Sequence, residues 1–417
     1  MDCFGLLGRT LAHSLSPQIH ACFGEYPYDL IEKEPEDLSA FFANCPYRAI
    51  NVTIPYKKDV MPFCTEIDDI AQRIGSVNTI CFDDDAVRGY NTDYAGFSYL
   101  LKKNGIAVRG KKALVLGSGG ASVTVCCVLR DLGAQQVVVI SRTGEDNYQN
   151  LSRHADAELI VNTTPVGMYP HNLEVIVDLD LFSQCEVVVD IIYNPLKTAL
   201  LLQAEKRGLT AVNGLDMLAA QGRRAAELFH RVAIPDAAVE GAVGAIERSF
   251  RNVVLVGMPG CGKSTLMPLL AEKLGKQKSD TDAFTEQLAG CTIPQLFEQQ
   301  GEAVFRDLES RAVAEVGKQH GQIIATGGGA VLREQNRMAL RQNGVVVFLD
   351  RSVEKLATVG RPLSHSDEAV KKLYQQRLPL YQAVADVTVT VADDAKETLC
   401  RVLDALDEFL RKEGKHL

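Results

Sequence analysis

At 417 residues the chain is too long for one hydrophobic core and implies two or three domains. Its 46% hydrophobic and 23% charged content is that of a soluble globular protein, and no apolar stretch reaches the length of a membrane span. A net charge of −9 with no basic run excludes nucleic acid as the expected partner. Eleven scattered cysteines without a CxxC suggest neither a zinc site nor a disulfide framework, and Asp2 stands where a signal peptide would carry positive charge. Reduced thiols in the cytoplasm are the expectation.

Residues 1–100 alternate short apolar runs with polar loops. FGLLG at 4–8, YRAINVTIP at 47–55 and VNTICF at 77–82 read as strands, and a helix continues from Asp93 through FSYLLKKNG. From 111 a nucleotide-type unit begins: strand ALVLG, a glycine turn, a helix through Leu132 stopped at Gly133, and strand QVVVIS. Strands AELIVN (157–162) and EVVVDI (186–191) follow, then helices over 197–206 and 214–231. Residues 234–252 read as a last helix and a short junction. A second strand–loop–helix start lies at 253, with strands QIIAT (322–326), VVVFL (345–349) and VTVTV (387–391). Strands that alternate with helices predict parallel sheets covered on both faces, an α/β fold throughout. The expected domains are 1–100, completed by 214–248; 101–213; and 249–417.

Two glycine-rich loops follow strands, and they differ in kind. GSGGAS places Gly117, Gly119 and Gly120 after ALVL, with Ser122 where a dinucleotide fingerprint has its third glycine. The strand QVVVIS ends at Ser141, Arg142 and Thr143; arginine at this tip suits a 2′-phosphate, so NADP(H) is the expected cofactor, while Glu145 and Asp146 keep NAD open. The second loop, GMPGCGKST, holds Gly257, Gly260, Gly262, Lys263, Ser264 and Thr265 and meets every fixed position of a Walker A motif for ATP. Its backbone N–H groups cradle phosphate, Lys263 reaches the β- and γ-phosphates, and Ser264 supplies a hydroxyl to Mg²⁺.

Walker A specifies the nucleotide and leaves the acceptor open. Asp280-Thr-Asp282 follows where a second strand ends, FRDLE sets Arg306 and Glu309 on one helix face, Gly327-Gly328-Gly329 ends the strand IIAT, and GRPL and RLPLY contribute Arg361 and Arg377. In that order these motifs resemble the shikimate kinase family over most of 252–400. The resemblance implies that Asp280 holds Mg²⁺ through water and that Asp282 accepts from the acceptor hydroxyl. It further implies that Arg306 and Arg377 clamp a carboxylate, that the triglycine turns N–H groups towards it, and that Arg361 lies in a lid over the phosphates.

The first half carries LAHSLSPQIH (11–20), NVTIPYK (51–57), GSVNT (75–79) and NTDYAG (91–96), small polar residues at strand ends and loops. Lys57 and Asp93 are its notable charged pair, able to pass a proton to a carbonyl oxygen under reduction; alone, such a pair would be an ordinary ion pair. These motifs resemble the shikimate dehydrogenase family over about 1–248. The resemblance implies that Ser14 and Ser16 bind the substrate carboxylate, that Thr53, Asn78, Gln221 and Tyr193 meet the ring hydroxyls, and that Lys57 and Asp93 are catalytic. Only about twenty residues separate Thr143 from Asn162, where the family has an added helix and strand, so a trimmed cofactor subdomain is expected. The two resemblances together imply a bifunctional enzyme that reduces 3-dehydroshikimate and phosphorylates the shikimate formed. A quinate-type NAD dehydrogenase joined to another small-acid kinase, and a metabolite-sensing regulator, are the alternatives; the intact set Lys57, Asp93, Lys263, Ser264, Asp280 and Asp282 argues against the regulator.

Overall fold

The computed structural model describes residues 2–12, 14–83, 85–356 and 367–412. The chain divides into two compact units, Met1–Val166 with Val175–Tyr193 and Leu200–Val243, and Gly167–Glu174 with Asn194–Ala199 and Gly244–Leu417.

The first unit holds two sheets. Strands β1 (Phe4–Gly8), β2 (Tyr28–Glu32), β3 (Ala49–Val52), β4 (Glu66–Ile67), β5 (Thr79–Phe82) and β6 (Val87–Tyr90) lie in the order β2-β1-β3-β5-β6-β4. β1 pairs in parallel with β2 and β3, and β5 antiparallel with β3 and β6. Every residue of β1 and β3 is buried, as expected of central strands covered on both faces. Short helices α1 (Ser16–Ala21), α2 (Leu38–Ala43) and α3 (Asp69–Ile74) accompany this sheet. Asp68 caps α3 by accepting from the Ile70 N–H at 3.1 Å. Helix α4 (Thr92–Lys103) then leads into the second sheet.

That sheet is wholly parallel, with β7 (Lys112–Leu116), β8 (Gln136–Ile140), β9 (Leu159–Asn162), β10 (Val187–Asp190) and β11 (Thr210–Val212) in the order β11-β10-β9-β7-β8. Alternate residues of one strand feed opposite faces: Ala113 and Val115 pack with α5 (Gly120–Asp131), whereas Leu114 and Leu116 pack with α6 (Ala199–Lys206). Between β8 and β9 the chain forms a hydrogen-bonded loop and one 3₁₀ turn, Leu151–His154, and no strand pairs with β8 on its outer side among the described residues. Helix α7 (Leu215–His230) returns to pack along α4, and α8 (Asp236–Phe250) follows it in the chain.

The second unit is built on one parallel sheet, β12 (Asn252–Val256), β13 (Gln277–Asp280), β14 (Gln322–Ala325), β15 (Gly344–Asp350) and β16 (Val387–Thr390), in the order β13-β14-β12-β15-β16. Helices α9 (Lys263–Leu274), α10 (Thr281–Ala289), α11 (Ile293–Gly317), α12 (Glu334–Asn343), α13 (Asp367–Val384) and α14 (Ala395–Lys412) surround it. α11 opens on a capping box between Thr292 and Gln295 and breaks at Gly301, whose φ of 81° only glycine adopts readily. The short segments 167–174 and 194–199 belong to this unit through hydrogen bonds to the end of α12: Gln342 Nε2 donates to the Asn172 carbonyl at 2.7 Å, and the Leu196 N–H to Asn343 Oδ1 at 3.0 Å.

Leu255 in β12 is fully buried at the centre of this core. Leu255→Ala should therefore cost the second unit about 2–5 kcal/mol, the range for a buried leucine whose cavity cannot collapse. Chemical denaturation of that unit's transition measures it, and a loss under about 1 kcal/mol would contradict the packing described.

Candidate active sites

In the first unit the polar motifs converge at the carboxyl end of β3, the amino end of the antiparallel β5 and the start of α4. Lys57 is fixed by the Val77 N–H, which donates to its carbonyl at 2.8 Å. Its Nζ donates to Asp93 Oδ2 at 2.6 Å, with both side chains largely screened from water. Asp93 sits in the first turn of α4, where the helix dipole favours a carboxylate. One residue earlier, the buried Thr92 joins two candidates: its N–H donates to Asn78 Oδ1 at 2.7 Å, and its hydroxyl lies 3.4 Å from Gln221 Oε1 on α7. Ser14 Oγ accepts from the Ser16 N–H at 3.2 Å. Thr53 is pinned by its N–H to the Leu7 carbonyl at 2.9 Å. Tyr193, past β10, is half-buried, and no hydrogen bond ties it to the others.

The first glycine loop turns from β7 into α5. Gly117 has φ 104°, and a Cβ there would meet Thr164 Cγ2 at 2.7 Å, so glycine is required on both counts. Gly119 and Gly120 open α5 with free space above them. Ser122, in the third fingerprint position, is buried and donates to the Gly119 carbonyl at 2.6 Å, which ties the turn to its helix. Arg142 and Thr143 are exposed at the tip of β8. Of the two acidic residues beyond them, Asp146 is engaged by His154 Nε2 at 2.8 Å. Asn150 bonds the Glu145 carbonyl and the Asn147 N–H, each at 2.8 Å. This side-chain stapling replaces the missing helix and holds the Arg142 tip. The glycine turn, helix start and arginine fit a dinucleotide carrying a 2′-phosphate.

In the second unit a cavity of about 680 Å³ is lined by Lys263, Ser264, Asp280, Asp282, Arg306 and Arg377 among others. Gly262, with φ 108°, starts α9 and aims its first N–H groups into the cavity. Lys263 is buried and donates to the Gly257 and Met258 carbonyls at 2.8 and 3.0 Å. Asp280 Oδ1 caps α10 by accepting from the Asp282 N–H at 2.9 Å. Among the described residues no group of three or more His, Cys, Asp or Glu could hold a metal. One hydroxyl and one carboxylate beside a phosphate loop fit Mg²⁺, which keeps waters and takes most ligands from phosphates.

The acceptor end is strongly polar, and its charged side chains are largely buried. Arg306, buried on α11, donates to Glu309 Oε2 at 2.8 Å, as the spacing on one helix face predicted, and to Glu302 at 3.0 Å. Glu309 Oε1 and Arg377 Nε are buried without partners. Unpaired polar atoms cost free energy unless something satisfies them, and both residues line the cavity. A Cβ on Gly327 would lie 2.9 Å from Glu309 Oε1, and one on Gly329 would strike the Arg306 guanidinium, so the triglycine permits this crowding. The Gly327 N–H donates to Thr281 Oγ1 at 3.0 Å, so this one N–H of the triglycine is engaged within the protein. Burial, aided by the like charges of Asp280 and Glu309, pushes the Asp282 carboxyl up to about 6.

Arg361 and the rest of the expected lid lie outside the described residues. Sequence reasoning missed Thr92, the junction of Asn78 and Gln221, although it stands inside the quoted NTD motif. It also missed Thr281 and Tyr381, whose hydroxyl donates to the Gly328 carbonyl at 2.5 Å. Tyr381 closes the quoted RLPLY motif, but nothing in that motif says that it reaches the triglycine from a helix far along the chain.

Fold and site thus define a class: a dinucleotide-type α/β unit with a lysine–aspartate pair, followed by a P-loop phosphotransferase unit. Comparison with known proteins makes the class specific. The family model for the shikimate dehydrogenase substrate binding domain matches residues 6–80, and that for shikimate kinase matches 259–407. The NADP(+)-type shikimate dehydrogenase of Clostridium beijerinckii is 35% identical over 271 residues, covering 60% of this chain and 100% of that protein. A chorismate mutase/shikimate 5-dehydrogenase fusion protein from Clostridium acetobutylicum superposes with a TM-score of 0.57 at 34% identity, over 59% of this chain and 97% of that one. The Thermus thermophilus shikimate 5-dehydrogenase, solved with NADP(H) and shikimate, gives 0.53 at 33% identity, over 58% and 98%. The chain belongs to the shikimate dehydrogenase family and carries a shikimate kinase domain after it.

The Asp282 environment can be measured directly. Carboxyl ¹³C NMR should show Asp282 titrating near pH 6. In Asp280→Asn the midpoint should fall, because losing a neighbouring negative charge makes ionisation easier. A midpoint that stayed near 4 in the parent protein, the usual range for an exposed carboxyl, would mean that the site is wetter than described.

Proposed function

We propose that the first unit reduces 3-dehydroshikimate to shikimate with NADPH, and that the second phosphorylates the 3-hydroxyl of shikimate with MgATP. The observation that carries this reading is the Lys57–Asp93 contact at 2.6 Å beside the Asn78–Thr92–Gln221 cluster: a proton donor next to fixed groups for ring hydroxyls. NADPH, bound by the Gly117 turn and Arg142, supplies the hydride. Lys57 delivers the proton that the new hydroxyl oxygen needs, while Asp93 holds the ammonium towards that oxygen. Ser14 and Ser16 bind the carboxylate, and Thr53, Asn78, Gln221 and Tyr193 bind the hydroxyls. A substrate lacking one hydroxyl is rejected because its partners stay buried and unpaired.

In the second unit the loop from Gly257 to Thr265 holds the phosphates, with Gly260 and Gly262 leaving room for them. Mg²⁺ held by Ser264 and, through water, by Asp280 supplies charge neutralisation at the phosphates. Lys263, and Arg361 from the lid segment, add positive charge around the transferred group. Arg306 and Arg377 grip the carboxylate, helped by Gly328 and Gly329. Asp282, whose raised pKa suits a group that accepts a proton near neutrality, faces the acceptor hydroxyl. Two sites that agree on one metabolite support each other. Small acids and nucleotides, not nucleic acid or a membrane, are the partners of such a protein, and its eleven free cysteines suit a reducing cytoplasm.

One sample given 3-dehydroshikimate, NADPH and MgATP tests both halves. Lys57→Ala should cut NADPH consumption by about 10²–10⁴-fold and leave phosphorylation of added shikimate intact. Lys263→Ala should do the reverse. Loss of both activities in either variant would refute the assignment. A further substitution, Arg142→Asp, should lower the preference for NADPH over NADH by about ten- to a hundredfold, the worth of hydrogen bonds to a charged group. An unchanged ratio would place the 2′-phosphate elsewhere.

A further inference from the structure

A buried chain of hydrogen bonds runs beneath the substrate site of the first unit to Asn78, and its other members are not among the residues assigned to binding or catalysis. Tyr28, on β2, donates its hydroxyl to Asn51 Oδ1 at 2.8 Å. Asn51, on β3, donates Nδ2 to Thr79 Oγ1 at 3.0 Å. Thr79, on β5, donates in turn to Asn78 Oδ1 at 3.1 Å. Asn51, Thr79 and Asn78 are all at most 5% exposed, so water cannot substitute for a lost partner. The chain starts at Tyr28 and ends at Asn78, at the hydroxyl end of the expected site.

The sense of this chain is fixed by chemistry. The Thr92 backbone N–H, which can only donate, points at Asn78 Oδ1 at 2.7 Å, so that atom must be the amide oxygen. The same oxygen receives the Thr79 hydroxyl, and it lies 3.2 Å from the Thr92 hydroxyl. With its oxygen surrounded by donors, Asn78 presents only Nδ2 to the site. Thr79 gives its single proton to Asn78 because the Asn51 Nδ2 already fills its acceptor side. Asn51 holds that orientation because Tyr28 donates to its oxygen. His20 is stacked on Tyr28 with ring centroids 4.1 Å apart and keeps the phenol in place.

We infer that Tyr28, Asn51 and Thr79 are positioning residues that lock Asn78 as an obligate hydrogen-bond donor, and so set which substrate hydroxyl the dehydrogenase demands as an acceptor. The inference rests on the proposed reading that Asn78 touches the substrate. Without Tyr28 the Asn51 amide loses the donor to its oxygen, Thr79 can turn its proton to Asn51, and Asn78 keeps the Thr92 N–H but loses the second donor that holds its side chain in place. Tyr28 lies outside the reacting groups, so the effect falls on binding of one hydroxyl and not on hydride or proton transfer.

The test uses the full chain, with shikimate oxidation by NADP⁺ as readout, phosphorylation of shikimate by the same sample as the concentration control, and the denaturation midpoint of the first unit as the fold control. Tyr28→Phe and Thr79→Val should each raise the shikimate KM about three- to tenfold, with kcat within about twofold and the NADP⁺ KM unchanged. Thr79→Ser, which keeps the hydroxyl, should retain the parent KM. Two readouts separate positioning from general loosening. In an Asn78→Ala background Tyr28→Phe should add nothing further, because both changes remove one interaction. Among the three monodeoxy-shikimates, the one whose KM ignores Asn78→Ala should also ignore Tyr28→Phe. Equal multiplication of the two effects, or equal weakening of all three analogues by Tyr28→Phe, would overturn the relay. If Asn78→Ala left every KM unchanged while shikimate was still oxidised, the placement of Asn78 against substrate would fail and the relay with it.

Discussion

A parallel strand cannot turn straight back on itself; it must release the chain at its carboxyl edge into a loop and a helix. That constraint places nearly every functional group of this protein. Gly117 follows β7, Arg142 follows β8, Gly257 follows β12, Asp280 ends β13 and Gly327 lies just past β14. Even in the mixed first sheet, Thr53 leaves β3 at the same kind of edge. Loops there can be replaced without disturbing the ladder beneath them. The loop between β8 and β9 shows this: a helix and strand are gone, yet the Arg142 tip is held by Asn147, Asn150 and the Asp146–His154 pair.

What the edges supply in position, burial supplies in reactivity. Arg306 and Glu309 lose water together, and a buried ion pair of this kind contributes little net stability once desolvation is counted. Its worth lies in geometry. Glu309 holds the guanidinium across Gly329, while its own second oxygen, unpaired, adds to the field that raises Asp282. A carboxylate raised by such a field is a better proton acceptor near neutrality than one in water. The same cluster would be a defect in a core with no ligand to receive.

How much of this was legible depends on whether partners are close in sequence or only in space. The Walker loop carries its own geometry, since Gly262, Lys263 and Ser264 are adjacent and the phosphate contacts come from their backbone. Arg306 and Glu309 were legible because helix periodicity fixes residues three apart on one face. Lys57 and Asp93 were legible only through the surrounding motifs, because nothing local says that residues thirty-six apart will touch. Thr92, Tyr28 and Asn51 were not legible: their partners come from other strands and helices, and each residue taken singly reads as an ordinary strand or cap position. The Gly327 N–H contact was hidden for a related reason, since its acceptor, Thr281 Oγ1, comes from a different part of the chain.

On the proposed reading the two units bind one small acid by opposite means. The kinase grips the carboxylate with Arg306 and Arg377, charges whose desolvation is already sunk into the fold. The dehydrogenase offers hydroxyls at Ser14 and Ser16 and a neutral relay beneath. Burial drives the His20 pKa down to about 3, so the ring stacked on Tyr28 is uncharged at any physiological pH. The difference follows from the chemistry each must do. Phosphoryl transfer between two anions needs cations to bring them together. Hydride transfer leaves the net charge of the carbonyl group to be balanced by one proton, and extra fixed cations near Lys57 would compete with that balance. Recognition in the first unit therefore falls on neutral hydrogen bonds, whose discrimination depends on direction rather than on charge. Direction is a property that only a fully paired network can hold, so the silent residues beneath the site matter as much as those that touch its ligand.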